Sequence, residues 1–395
     1  MADDRRVRRC AGLFLQPRER QAMDLAALLG GGDAIRVEQA WFAMAPHLPS
    51  EIEVDGAIVE ALPLLSETRW KAFTEIAEQI GTERLRRMIE IGVAVVDHPG
   101  DPRHDRDLRT RELQWHPLSA VAHMALRWSG VDSIATQNES RIRTTADLVA
   151  ESGLPPPHFH RRDDATTRIS LERSDPAPLD GLLERRATCR NFETETSMSL
   201  RAVSVVLGRV FGVHGREEFL PGVVALKKNH PSGGGLHPLE AYLLLRHIEG
   251  LACGLYHYNV EAHALDLLST MKVDEAHALS LGMVAGQDYF ANAHAVVVVA
   301  ARFARSFWKY RRHPKIYRAI LLEAGHASQN LYLAATDLGL GAYVTAAINE
   351  VEIEQAFGLD PLFEGPIAVC GFGPRAGTRT TVELDPAGRV WDASG

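Results

Sequence analysis

Apolar positions in the second half of the chain switch repeatedly between helical and strand spacing. From Leu200 to Phe211 they recur every three to four residues, which predicts an amphipathic helix. Glu240 to Leu245 suits a strand, and His294 to Ala301 carries four consecutive valines, the composition of a strand buried on both faces. Ile316 to Leu338 predicts a long, largely buried helix ending at Gly339, and Ile367 to Gly371 a last strand. In the first half, Ile58 to Leu62 predicts a short strand. A helix is expected to open at Ser66-Glu67-Thr68 and to carry Trp70, Phe73, Ile76 and Ile80 on one face. A second helix, Thr82 to Ile91, stops at Gly92, and Val93 to Val96 reads as a strand. That order outlines a small winged-helix unit, and the pattern after it is α+β.

The periodicity breaks between residues 150 and 178, at Pro155-Pro156-Pro157, the charged run Arg161-Arg162-Asp163-Asp164 and Asp175-Pro176-Ala177-Pro178. Proline cannot continue a helix and pushes its predecessor toward extended backbone, so the boundary is expected here. The division is residues 1–130, a linker over 131–178, and a second domain over 179–395. A chain of 395 residues, 46% hydrophobic and 24% charged, has the length and composition for two folded domains. Its net charge of -8 argues against a general nucleic-acid surface. Four scattered cysteines form neither a CxxC pair nor a disulfide framework, which predicts a reducing compartment and no structural zinc. No apolar stretch has the length of a membrane span or the form of a signal-peptide core, so a cytoplasmic protein is expected.

Two segments carry the candidate chemistry. Arg185-Arg186-Ala187-Thr188-Cys189-Arg190-Asn191-Phe192 clusters three guanidiniums suited to bidentate recognition of a phosphate. About forty residues later, Pro231-Ser232-Gly233-Gly234-Gly235-Leu236-His237-Pro238 supplies a backbone that a planar ring can approach closely. Together they suggest a flavin mononucleotide (FMN) site. Alone, an Arg-Arg pair is usually a solvated face and three glycines a flexible loop. Cys189 reads as a packed side chain, and His237 as a residue that holds its loop through a hydrogen bond to backbone.

The chain from about residue 180 onward resembles the FMN nitroreductase superfamily, and within it the SagB/ThcOx-type dehydrogenases that mature ribosomal peptides. The arginine segment is similar to the family's Arg-Arg-Ser-x-Arg-x-Phe, and the glycine segment to Pro-Ser-Ala-Gly-Ala-Leu-His-Pro-x-Glu. Leu322-Glu323-Ala324-Gly325-His326, with Gln329-Asn330-Leu331, resembles Leu-Glu-Ala-Gly-His-x-x-Gln-Asn-Leu. The resemblance implies a nitroreductase-like α+β fold, homodimeric through its flavin site. It assigns Arg185, Arg186, Thr188 and Arg190 to the phosphate and ribityl chain, with Arg375 of Gly371-Phe372-Gly373-Pro374-Arg375 as a further phosphate partner. Pro231, Ser232, Gly233, Gly234 and Gly235 would lie against the flavin, with backbone amides of Val344, Thr345 and Ala346 at the ring edge. Glu323, Gly325 and His326 would face the dimer partner or the flavin pocket. Lys309-Tyr310, shortly before Tyr317-Arg318, matches a catalytic Lys-Tyr pair of azoline dehydrogenases, although His313-Pro314-Lys315-Ile316 lengthens the spacing by two residues. The likeness extends to Trp115-His116-Pro117, His123 and Arg127-Trp128 in a connecting helix.

The chemistry of such an enzyme needs that pair. Converting an azoline to an azole removes a hydride from one carbon and a proton from its neighbour; the flavin accepts the first and a protein base the second. The reading is therefore an FMN-dependent dehydrogenase acting on a precursor peptide, with other peptide-modifying enzymes as further partners. Its N-terminal unit would bind a leader peptide as an added strand. A reductase of dehydroamino acids, nitro compounds or quinones fed by a nicotinamide donor is the first alternative, and a flavin-free peptide-binding partner the second. No GxGxxG follows a strand, no GxSxG elbow is present, and the seventeen histidines show no HExxH spacing, so no metal ligand set is assigned.

Overall fold

A computed structural model describes residues 4–23, 25–31, 35–159, 162–164, 166–172 and 175–391; Arg161 of the expected linker lies outside them. The chain divides into two compact units. The first comprises residues 1–127 with 302–318 and 360–364, and the second residues 128–301, 319–359 and 365–395. Among the described residues, no helix is long and apolar enough to cross a membrane.

In the first unit Arg6–Arg9 is the central strand of an antiparallel sheet, between Lys71–Ala72 and Ala94–Val96. A second sheet pairs Phe14–Met23 with Ile35–Met44 over ten residues, and Ile52–Val54 flanks the latter. The core beneath is Val7, Ile58, Leu62, Phe73, Ile76, Leu85, Met88 and Val93. Thr82–Glu90 is helical as predicted. Two expectations are corrected. Residues 58–62 are not a strand: Gly56–Ala61 is a helix, capped by the Asp55 carboxylate accepting from the Ile58 amide at 2.8 Å, and Leu62–Leu64 continues as a 3-10 turn. A five-residue segment with four apolar positions is too short for its period to separate strand from helix, and the cap decided. The next helix opens at Phe73 rather than Ser66, because Ser66 Oγ accepts from the Thr68 and Arg69 amides in a turn, and Lys71–Ala72 joins the sheet. Trp70 therefore leaves the helix face and lies under the Arg8 guanidinium, 4.0 Å from its ring centroid.

Pro102–Glu112 is tied to the central strand by one fully buried carboxylate, Asp107. It accepts from Arg8 Nη2 at 2.7 Å, Arg111 Nε at 2.9 Å and Nη2 at 3.2 Å, and the Ala11 amide at 2.6 Å. Burial pushes its acidity down, but the Arg111 and Arg8 guanidiniums outweigh that and hold the carboxyl below its ordinary range. Nearby, Trp115, His123, Phe303, Phe307 and Tyr317 form an aromatic cluster. His123 Nε2 donates to the Pro361 carbonyl at 2.9 Å, so its Nδ1 accepts from the Tyr317 hydroxyl at 3.0 Å.

The second unit is built on a six-stranded sheet in the order Ala264–Thr270, Gly254–Asn259, Leu239–Leu245, Ala295–Arg302, Glu364–Gly373, Gly341–Thr345. The valine run is buried along its whole length, as its composition requires. Leu200–Phe211 is helical over the predicted residues, with Ser199 Oγ accepting from the Ala202 amide at 3.3 Å. Ile316–Asp337 is the long helix, burying Ala324, Ala327, Leu331 and Ala335. The interval expected to be linker contains two short helices, Ser133–Glu139 and Thr145–Ser152. They are started by Asp132 and by a reciprocal Thr144–Asp147 capping box. The mixed α and β architecture with an additional N-terminal unit agrees with the predicted fold class.

Candidate active site

The arginine segment leaves the helix Pro178–Arg185 and runs beside the strand Gly341–Thr345, where Thr188 bridges Ala342 and the Cys189 amide donates to the Ala342 carbonyl at 2.8 Å. Only a residue without a side chain fits at Gly341, because a Cβ there would collide with Cys189 Sγ. Burial raises the Cys189 thiol to about 12, so it is the packed, unreactive side chain expected.

Thr188 Oγ1 and Tyr332 Oη share a hydrogen bond of 2.9 Å, and Tyr332 Oη also accepts from the Val344 amide at 3.2 Å. Tyr332, on the long helix, thus locks the arginine segment to the Val344 strand; sequence reading missed it because it resembles any core aromatic. Burial raises its pKa, so it remains a neutral phenol. The Arg186 guanidinium lies 5.3 Å from the Tyr332 ring centroid. Neither Arg185 nor Arg186 has a carboxylate partner among the described residues.

Arg190 and Arg375 are engaged differently. Arg190 Nη1 donates to the Val382 carbonyl at 3.1 Å, while Arg375 Nη1 donates to Glu383 at 2.6 Å and Nη2 to the Ala187 carbonyl at 3.2 Å. Glu383 is buried and also accepts from the Arg190 and Asn191 amides, Asn191 Nδ2 and Trp391 Nε1. The segment after the last strand is therefore bound to two of the predicted phosphate partners, a contact that nothing in local sequence signals. Arg185, Arg186 and Thr188 provide two guanidiniums without an internal anion beside a hydroxyl. That donor set fits a phosphate monoester.

Pro231 to Gly235 leads into a single 3-10 turn, Gly233–Gly235, with φ of 70° at both Gly234 and Gly235. The turn is closed by Ser232 Oγ accepting from the His237 amide at 2.8 Å. A Cβ at Gly235 would meet nothing within 4 Å, so this backbone presents an open face. His237 has a φ of 46°, unusual for a residue with a side chain. It is the amide of His237, bonded to a serine hydroxyl, that holds the loop. Ring Nδ1 is buried without a hydrogen-bond partner. It lies 3.6 Å from Glu323 Oε1, as does Nδ1 of His230. Sequence reading placed Glu323 near the site but passed over His230. Burial, chiefly, holds His230 below the ordinary histidine range, against the opposing influence of Glu323. Among the other predicted ring-edge groups, Thr345 is buried and its hydroxyl accepts from the Ala347 amide at 3.2 Å, while Ala346 is exposed.

Lys309 and Tyr310 belong to the first unit, and the arginine and glycine segments to the second. They lie at the end of the helix Phe303–Tyr310, with Lys309 exposed and its Nζ 5.5 Å from the Tyr310 ring centroid. The extra residues are absorbed in a turn: Arg311 has a φ of 38° and the His313 amide donates to the Tyr310 carbonyl at 2.9 Å. A recess lined by Glu112, Leu113, Gln114, Phe307, Trp308 and Arg311 lies at this helix, with Trp308 63% exposed.

Residues 183–374 match the nitroreductase family. The chain is 30% identical over 190 residues to "Putative nitroreductase MJ1384" of Methanocaldococcus jannaschii, covering 89% of that protein and 48% of this chain. The chain belongs to the nitroreductase family. It is also 35% identical over 149 residues to the trifolitoxin-processing protein TfxB of Rhizobium leguminosarum bv. trifolii, which spans 36% of this chain and 38% of that protein. To the microcin B17-processing protein McbC of Escherichia coli it is 28% identical over 195 residues, 48% of this chain and 67% of that protein. Two relatives are thus peptide-processing proteins.

Proposed function

We propose that this protein is an FMN-dependent dehydrogenase that acts on a ribosomally synthesised peptide, oxidising an azoline to an azole. The observation that carries the reading is the similarity to the trifolitoxin- and microcin B17-processing proteins, combined with the motifs around Arg185, Pro231 and Lys309. Arg185, Arg186, Thr188, Arg190 and Arg375 would hold the cofactor's phosphate and ribityl chain; Pro231 to Gly235 and the amides of Val344 to Ala346 would border its ring. When bound, FMN supplies the hydride acceptor. Lys309 Nζ takes the proton from the adjacent carbon, with the Tyr310 hydroxyl orienting it. Lys309 is exposed at the end of its helix, within reach of a docked peptide, as a base must be of the proton it removes.

The same reading makes the protein a cytoplasmic homodimer. On the long helix, Leu321 and Leu322 are exposed and a Cβ at Gly325 would meet nothing within 4 Å, which leaves room for a second copy. A leader peptide would pair with the edge strand Lys71–Ala72 or Ala94–Val96 of the first unit, and other modifying enzymes would share the peptide.

Lys309→Ala and Tyr310→Phe are expected to retain FMN with an unchanged absorption spectrum while peptide oxidation, followed by mass spectrometry, falls at least ~100-fold, the scale of general-base catalysis. Wild-type rates in both variants would remove the pair from the chemistry. The 30% identity across most of the M. jannaschii nitroreductase-family protein favours a second reading, reduction of a small acceptor with a nicotinamide donor. Rapid nicotinamide oxidation by both variants with no peptide oxidised by the wild type would select it.

A further inference from the structure

His230 and His237 flank the glycine turn, in the segment between the strands Val223–Lys228 and Leu239–Leu245, and Glu323 lies on the long helix. All three are buried, and one ligand atom from each lies within 4.8 Å of the others. The separation of 3.6 Å from Glu323 Oε1 to Nδ1 of each histidine is close to the spacing of two donors held by one metal ion at about 2.0–2.2 Å. Three buried polar atoms here have no hydrogen-bond partner: His230 Nε2, His237 Nδ1 and Glu323 Oε1. Native interiors rarely leave such atoms unmatched, and two of them, His237 Nδ1 and Glu323 Oε1, face each other at 3.6 Å and call for a shared occupant; His230 Nδ1, at the same distance from Oε1, has the Pro231 carbonyl at 3.4 Å. The backbone of His237 is also held in the left-handed region while it aims the ring, the kind of strain that collects where geometry serves a site.

We propose that His230, His237 and Glu323 bind one divalent transition-metal ion, with zinc, cobalt, iron(II) and manganese as the class. Two imidazoles and one carboxylate favour such ions over calcium or magnesium, which take oxygen ligands. Three protein donors leave a tetrahedral ion one further position, open to water or a small ligand. The proposal is independent of the flavin assignment, because its ligands and its readout do not involve the cofactor.

The test uses the full chain, stripped by EDTA dialysis and titrated with cobalt(II), read as a difference spectrum against the same protein without cobalt. One cobalt per chain with visible ligand-field bands, displaced by one equivalent of zinc, is expected, and zinc should raise the thermal midpoint. His237→Gln and Glu323→Gln should each weaken binding by at least ~100-fold, more than the loss of an outer-shell partner. His158→Gln, at an exposed position outside the cluster, should bind like the wild type. Failure of the wild type to bind cobalt or zinc stoichiometrically overturns the proposal without any variant having to fold. Wild-type affinity in both ligand variants overturns it as well, and the cluster is then a hydrogen-bonded group filled by water.

Discussion

Asp107 in the first unit and Glu323 in the second are both carboxylates removed from water, at 0% and 2% exposure, yet their surroundings are opposite. Asp107 accepts four hydrogen bonds, from Arg8, Arg111 and the Ala11 amide, so every lone pair facing the interior is used. Glu323 faces two histidines at 3.6 Å and leaves Oε1 without a partner. A satisfied buried charge fixes how a helix meets a strand. An unsatisfied one keeps its capacity to bind and costs the fold accordingly. Asp107 thus serves the structure of the first unit, and Glu323 stays open at the candidate site of the second.

The largest test of this contrast is a pair of substitutions. Asp107→Ala strands Arg8 and Arg111 and is expected to destabilise the protein by about 3–5 kcal/mol, read from denaturant unfolding. Glu323→Gln in metal-free protein removes a charge that the fold does not satisfy, and is expected to cost less than about 1 kcal/mol or to stabilise. Equal losses would erase the distinction between the two carboxylates.

Next in size is a pH effect in the first unit. Burial lowers the His123 pKa to about 4, against the opposing hydrogen bond to Pro361, from 6.5 in the unfolded chain. Because the folded value is the lower, the unfolded chain takes up the proton first. The contribution is complete above pH 6.5, declines as pH falls from 6.5 to 4, and changes no further below. The span corresponds to about 3 kcal/mol. His123→Phe should flatten this part of the stability–pH profile, and an unchanged slope would move the titration elsewhere.

A separate effect, on binding rather than stability, is expected at the arginines. Arg185→Ala combined with Arg190→Ala should leave a folded protein depleted of FMN, since each guanidinium–phosphate contact is worth about 1.5–3 kcal/mol. Arg190 also donates to the Val382 carbonyl, so part of the loss in the double variant would come from loosening the C-terminal segment; Arg185→Ala alone isolates the direct contribution. Full flavin occupancy in the double variant would remove these arginines from the cofactor site.

Elements with a long, uniform apolar period were legible from the sequence: Leu200–Phe211, the valine strand and the helix Ile316–Asp337 are where the pattern puts them. Each buries one face or both, and burial imposes periodicity on composition. Short elements were not. Residues 58–62 carry too few apolar positions to choose a period, and the hairpins Phe14–Met23/Ile35–Met44 and Val213–Leu220/Val223–Lys228 are largely exposed, so burial writes little alternation into them.

For the site, the sequence by itself determined the chemical vocabulary: clustered guanidiniums, a backbone of glycines, a lysine beside a tyrosine, all in local strings read one residue after the next. Only the tertiary structure decided the pairings. Arg8 meets Asp107 across 99 residues, Arg190 and Asn191 meet Glu383 nearly two hundred residues away, and His230 and His237 meet Glu323 on a helix that begins some eighty residues later. Such contacts carry no local signature. A buried histidine or carboxylate has the same neighbours in sequence whether its partner is an arginine, a metal ion or nothing, and the difference arises only when folding removes water and leaves each polar atom to the groups that the sheet and helices bring within reach.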